Sequence, residues 1–127
     1  MVFGDIAGLT SSEQSALDEY VTLLVDRLDD ALEAVWLYGS AARGDMWLRD
    51  SPMHSDIDIV VVTSQPVPES TVDDLVNLTY PLYLRCGRQI SPAFKSVDEW
   101  QAVATDPDGY RDDVIQDVLK EGRRLWP

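Results

Sequence analysis

Alternation of helix-like and strand-like segments predicts an α/β (α+β) domain, a small mixed sheet with flanking helices. Three observations carry that prediction. An amphipathic run near the start repeats its apolar residues at helical spacing. Two short apolar runs rich in β-formers, 34–38 and 57–63, have the length of buried strands. Turn residues punctuate the chain between them. At 127 residues there is room for one core and not two, so a single domain over 1–127 is expected.

The first helix is expected over about Ser12 to Asp30. Thr10, Ser11 and Ser12 offer N-caps, and Leu17, Tyr20, Val21, Leu24, Val25, Leu28 and Leu32 follow with helical spacing. Ala34-Val35-Trp36-Leu37-Tyr38 then reads as a strand that ends at Gly39-Ser40. Ile57 to Thr63 is the second strand, closed by the loop Ser64-Gln65-Pro66-Val67-Pro68. The segment between the strands, Ala41 to Ser55, is too polar and irregular to be core throughout.

Ser70 to Leu84 predicts a helix with Val72, Leu75, Val76, Leu78 and Leu82 turned inward, disturbed near Pro81 and stopped at Gly87. Gln89 to Lys95 reads as a third strand, and Pro92 inside it demands an edge or a bulge. Val97 to Val103 is a short helix. The closing helix is expected from Tyr110 to Leu125, with Val114, Ile115, Val118, Leu119 and Trp126 on its apolar side and Lys120, Arg123 and Arg124 near its C-terminal dipole. Packing of the helices mainly on one face of the sheet completes the expectation.

Composition narrows the function. Twenty-three acidic residues against ten basic ones give a net charge of −13, which repels phosphate backbones and anionic membranes, so broad nucleic-acid binding is disfavoured. Such a charge suits a well-solvated surface or a basic partner protein. Cys86 is the only cysteine, which fits a reducing cytoplasm. Neither a leader-like start nor a membrane-spanning apolar run stands out, so no membrane association is expected.

The chemistry is concentrated around Asp56 and Asp58. Alternate residues of a strand share a face, so the two carboxylates project together, while Ile57, Ile59 and Val61 project oppositely. Two residues of strand rise put them roughly 6–7 Å apart. At an effective dielectric near 20 their repulsion is about 2–3 kcal/mol, which calls for a cation between them. Hard oxygen ligands suit Mg²⁺, whose shell is completed by water and substrate phosphates. Gly39-Ser40, leaving a strand and opening a helix, lets backbone N–H groups approach a phosphate, and Ser40 adds a hydroxyl. Either half alone has an ordinary structural explanation as a solvated strand edge or a capped turn.

Together, Leu37-Tyr38-Gly39-Ser40-Ala41-Ala42-Arg43-Gly44-Asp45 and Ser55-Asp56-Ile57-Asp58-Ile59-Val60-Val61 closely resemble the nucleotidyltransferase signature of the DNA polymerase β superfamily. The chain most resembles the minimal nucleotidyltransferase (MNT) antitoxins paired with HEPN-domain toxins. Glu121-Gly122-Arg123-Arg124-Leu125-Trp126 extends the likeness, which covers roughly Leu9 to Trp126. The resemblance implies a polymerase β-like fold, with Gly39 and Ser40 gripping the triphosphate of ATP and Asp56 and Asp58 as catalytic metal ligands for Mg²⁺. Arg43, one helical turn beyond Ser40, is expected on the γ-phosphate side.

Two departures from that pattern stand out. The spacing between Ser40 and Asp56 is longer than the family commonly shows, so Met46 to Pro52 reads as an insertion beside the site, carrying Trp47 and Leu48. The family also places a third carboxylate on the next strand, where this chain offers Ser91. The general-base position is thereby vacant. His54, the sole histidine, reads as loop surface, and Trp36, Trp100 and Trp126 as core aromatics.

The resemblance implies transfer of AMP from ATP to a protein hydroxyl of a HEPN toxin. A binding-only antitoxin is the alternative that Ser91 favours. Nucleotidyl transfer to a small molecule such as an aminoglycoside is a further one, weakened by the lack of room for an acceptor domain. Val60 and Val62 continue the face of Asp56 and Asp58, and an apolar pair there needs a cover. A toxin partner, the closing helix or a homodimer would each supply one, leaving a homo- or hetero-oligomer open.

Overall fold

A computed structural model of the chain describes Gly4, Ile6 and residues 8–43 and 56–127. The described elements are α1 (Ser11–Leu28), a 3₁₀ turn (Asp29–Ala31), β1 (Leu32–Tyr38), α2 (Ser40–Arg43), β2 (Ile57–Thr63), α3 (Glu69–Asn77), α4 (Thr79–Cys86), β3 (Ile90–Ser96), α5 (Val97–Thr105), α6 (Asp113–Glu121) and β4 (Arg123–Trp126). The strands form one mixed sheet in the order β3-β2-β1-β4. β1 runs antiparallel to β2 and β4, while β2 and β3 are parallel. The expected α/β class and mixed sheet are what the chain adopts.

α1 starts where its capping residues dictate. Thr10 Oγ1 accepts the Glu13 N–H at 3.1 Å and the Glu13 carboxylate accepts the Thr10 N–H at 2.9 Å, a reciprocal capping box. The helix then buries Ala16, Leu17, Tyr20, Val21 and Leu24 against Val35, Leu37, Ile57, Ile59 and Val61 of the sheet. Each large side chain so buried stabilises the fold by roughly 1.5–3 kcal/mol relative to exposure. Tyr20 keeps its polar end satisfied by donating to the Leu75 carbonyl at 2.7 Å, which ties α1 to α3. Leu32, counted with the first helix by periodicity, opens β1 instead.

The helix expected over Ser70 to Leu84 is two helices, broken at Leu78. The break lies upstream of Pro81, which thereby falls in the first turn of α4, where a missing N–H costs no helical hydrogen bond. Leu75 and Leu82 point inward, but Val76 is exposed. Gly87 ends α4 in the left-handed conformation, φ 77°. β3 is an edge strand, as Pro92 requires.

Two further expectations fail. The closing helix ends at Glu121, and Arg123–Trp126 is a strand paired with β1 through Leu37↔Arg123 and Trp36↔Arg124. α6 stops before Gly122, whose backbone turns extended at φ −67° and ψ 148°, and a Cβ there would meet the Val118 carbonyl oxygen at 2.5 Å. Leu125 is buried on β4 and Trp126 packs against the main core, so their apolar character belongs to a sheet edge and not to a helix face; Leu119 is exposed. Nor do the helices keep to one face. α5 packs on β2 and α6 on β1, covering the side of the sheet opposite α1. There Trp36 stacks on Trp100 at 5.9 Å, and Arg124 lies over the Trp36 ring at 5.5 Å.

Val60 and Val62 are accordingly 0% and 5% exposed within the chain itself. They need no partner. Of the covers that the sequence left open, the chain's own helices supply it, so the argument for an oligomer from these valines does not hold.

Candidate active site

The site forms at one end of the sheet because three strands place their ends in register there. Tyr38, last in β1, pairs with Asp58 on β2, and Asp58 pairs with Ser91 on β3. In-register neighbours share a face, so Tyr38, Asp58 and Ser91 form one row on the side covered by α5 and α6. Asp56 precedes the strand on the same face and is exposed. Its Oδ2 accepts a hydrogen bond from Ser91 Oγ at 2.8 Å. The Ile57 N–H donates to the Gln89 carbonyl at 2.8 Å, fixing the residue between the two aspartates to the start of β3.

Gly39 brings the other half of the signature into contact with this row. Its φ of 74° is left-handed, and a Cβ built on it would lie 2.8 Å from Asp58 Oδ2. Only glycine fulfils both demands. Ser40 then opens α2 with its side chain buried, 8% exposed, and its Oγ has no hydrogen-bond partner among the described residues. An unsatisfied buried hydroxyl is costly, and one at the start of α2 beside the Gly39 turn is compatible with a partner, such as a phosphate oxygen, that the chain does not itself supply.

The electrostatics follow from crowding. The Asp58 carboxyl is pushed up to about 6, chiefly by burial and further by the Asp56 charge, with Arg43 opposing. The Tyr38 hydroxyl is pushed up to about 12 by burial and by Asp58, Asp117 and Asp112. Asp112 itself caps α6 by accepting the Ile115 N–H at 3.1 Å, and it is held below the usual carboxylate range by its ion pair with Lys95 at 2.7 Å, against the opposing effect of burial. Arg43, at the end of α2, pairs with Glu121 of α6 at 2.8 Å.

All the expected site residues among those described, Gly39, Ser40, Arg43, Asp56 and Asp58, therefore meet at one end of the sheet. Ser91 stands where the sequence put it, beside Asp58. Glu121 and Asp117 were missed. Their signal was the i, i+4 spacing on a helix whose Ile115 and Val118 face the sheet, which puts both acids on one flank. Among the described residues no group of three or more His, Cys, Asp or Glu could hold a metal ion, so the acidic pair stands by itself. A Mg²⁺ held by two carboxylates and substrate phosphates is compatible with that donor set. Met46 to Pro52, with Trp47 and Leu48, and His54 lie outside the described residues. No helix among the described residues is long and apolar enough to cross a membrane.

No curated protein matches the chain. Solved structures of toxin–antitoxin complexes share its fold. A mutant MntA–HepT complex aligns with a TM-score of 0.54 and 21% identity over 87% of this chain and 71% of the matched one. A toxin–antitoxin structure with AMP-PNP aligns with a TM-score of 0.52 and 18% identity, over 86% and 72% respectively. The tri-AMPylated Shewanella oneidensis HEPN toxin in complex with its MNT antitoxin gives 0.52 and 18%, over 89% and 71%. The family model for polymerase β nucleotidyltransferases matches residues 23–94, which runs from within α1 through both halves of the signature to β3. With more than half its length matched and the two motif halves in contact through Gly39 and Asp58, the chain belongs to the polymerase β nucleotidyltransferase family.

Proposed function

We propose that the chain transfers AMP from ATP to a hydroxyl of a HEPN-domain toxin and so acts as that toxin's antitoxin. The observation that carries the reading is the close approach of Asp58 to the Gly39-Ser40 turn, with its unpartnered buried hydroxyl, while Asp56 lies on the same face two residues before it. Its choice of acceptor leans on fold neighbours described as toxin–antitoxin complexes, one with AMP-PNP and one tri-AMPylated.

In this reading Ser40 Oγ and the amides at the start of α2 bind the β- and γ-phosphates, with Arg43 adding charge on the same side. Asp56 and Asp58 hold Mg²⁺, which when bound neutralises charge at the α-phosphate. Ser91 restrains the Asp56 carboxylate by its hydrogen bond. Gly39 admits the close approach of Asp58 to the phosphate turn. The acceptor hydroxyl then attacks the α-phosphorus in line, its oxygen forming the new P–O bond as pyrophosphate leaves, and the hydroxyl proton passes to solvent or to a base on the acceptor.

The test is to purify the chain with the product of the neighbouring reading frame and add ATP and Mg²⁺. The partner should gain the mass of one or more AMP groups, and Asp56→Asn/Asp58→Asn should remove the gain while the complex persists. A stable complex with no mass gain would favour the second reading, neutralisation by binding alone, to which Ser91 in the third-carboxylate position points.

A further inference from the structure

The surface of α3 and α4 carries an apolar stripe that the core does not use. Leu75, Thr79 and Leu82 are buried and Cys86 is half-buried, which makes one inward line at helical spacing. Val76, Tyr80, Tyr83 and Leu84 lie one residue further round and turn outward. Leu78 joins the two helices in the right-handed helical conformation, φ −67° and ψ −14°, so the outward residues keep to one line across the break. Tyr80 and Leu84, at 61% and 63%, are the most exposed large hydrophobic side chains described, and the Tyr80 and Tyr83 rings stand 6.5 Å apart. Four of the six such exposed residues are thus gathered on two adjoining helices, whereas an ordinary surface scatters them singly.

The stripe also leads to the reaction centre. α4 ends at Gly87, whose N–H donates to the Tyr83 carbonyl at 2.7 Å, and the chain passes directly to Gln89. The Gln89 carbonyl accepts the Ile57 N–H at 2.8 Å, between Asp56 and Asp58, and Ser91 pairs with Asp58. A protein seated on Tyr83 and Leu84 therefore stands beside the end of β3 that carries the site.

Charge selects the occupant. α3 and α4 carry Glu69, Asp73 and Asp74 against Arg85 alone, and Arg85 is paired with Glu19 of α1. Asp73 lies about one turn before Val76, at the head of the stripe. A second copy of the chain would bring the same acids and a further −13 to the contact, and an anionic lipid surface would be repelled likewise. A partner whose apolar helix face is flanked by Lys or Arg meets neither objection, and tyrosine is among the residues favoured as interface anchors.

We infer that the stripe of Val76, Tyr80, Tyr83 and Leu84 is the docking surface for the protein that receives the nucleotide, and that this protein meets it with an apolar helix face rimmed by basic residues. The inference rests on the proposed transfer to a protein hydroxyl, and adds where that protein is held.

Surface plasmon resonance of the full chain with the purified product of the neighbouring reading frame, at low and at high salt, tests this. Tyr80→Ser/Leu84→Ser should weaken the complex roughly hundred-fold, as loss of two central anchors does, with unchanged far-UV circular dichroism and ATP binding. Tyr110→Ser/Leu119→Ser, which removes the two exposed hydrophobics outside the stripe, should leave the affinity as it was. Asp73→Lys/Asp74→Lys should slow association roughly ten-fold at low salt, a difference that high salt removes. The inference would be overturned by a Tyr80→Ser/Leu84→Ser variant that binds as tightly as the unaltered chain, or by a charge-reversed variant that associates as fast or faster. Ultracentrifugation showing that the stripe variant only breaks up a homodimer would overturn it too. An unaltered chain that does not bind the neighbouring product at all would instead remove the proposed antitoxin function, and the inference with it.

Discussion

Ser91 Oγ donates to Asp56 Oδ2 across 2.8 Å, from the position on β3 that pairs with Asp58 on β2. A hydroxyl there can steady a carboxylate. It is far too weak a base to relieve an attacking hydroxyl of its proton at neutral pH.

On the proposed function, installing a carboxylate at that position should supply a general base there. If the chain transfers AMP as proposed, Ser91→Asp is expected to raise the single-turnover rate by roughly 10²-fold, the lower bound for general-base assistance. It also adds a third negative charge, so the metal-free variant should melt at a lower temperature and recover on addition of Mg²⁺. A folded variant whose rate is unchanged would mean that proton removal is not what limits this chain.

The raised pKa of Asp58 fixes the sign of a pH effect. The carboxyl titrates near 3.8 in the unfolded chain and near 6 in the fold, so between those values the folded state binds more protons. Stability without Mg²⁺ should therefore fall as pH rises from about 4 to 6, by roughly 1–2 kcal/mol once solvent screening is allowed for. Asp58→Asn should flatten that part of the profile and raise the melting temperature at pH 7. Urea titrations of both proteins at pH 4, 5, 6 and 7 read this directly, and parallel slopes would refute it.

Arg88 and Glu13 form an ion pair far from the carboxylates in sequence but close to them in consequence. Both side chains are almost wholly buried, with Nε and Oε2 3.2 Å apart, and Gln89, next along, holds the Ile57 N–H. Arg88→Met leaves the Glu13 charge buried without this partner and should cost about 3–5 kcal/mol of stability. Adding Glu13→Leu should return part of the loss, although the α1 capping box is then gone. Chemical denaturation of the three proteins measures both effects; a single variant as stable as the parent would disprove the assignment.

How much of this was legible in the sequence depended on the range of the forces involved. β1, β2 and β3 announced themselves because short runs of buried β-formers have few alternatives, and Pro92 could be placed at an edge because it lacks an N–H. That Gly39, Ser40, Asp56 and Asp58 come together could be expected because a glycine turn leaving one strand and alternate residues of the next have few other placements. β4 was not legible, since Leu125 and Trp126 follow Leu119 closely enough to continue a helical stripe, whereas the extended turn at Gly122 and the pairing of Arg123 and Arg124 with β1 end α6. The split at Leu78 and the burial of Val60 and Val62 were equally hidden. Both depend on which elements meet across the sheet, which local pattern does not encode.

The 2.8 Å that would separate Asp58 Oδ2 from a Cβ at Gly39 also governs how such a chain can change over generations. The two motif halves are distant in sequence yet cannot drift independently. A mutation to alanine at Gly39 meets a left-handed backbone costing roughly 1–2 kcal/mol, and it pushes on the carboxylate opposite. A shorter residue at position 58 would make the space but give up the acid. Single-step paths away from this pair therefore pass through proteins that have lost either fold stability or the acidic pair. A lineage that kept the fold while abandoning the chemistry would be expected to lose Asp58 first and Gly39 only afterwards.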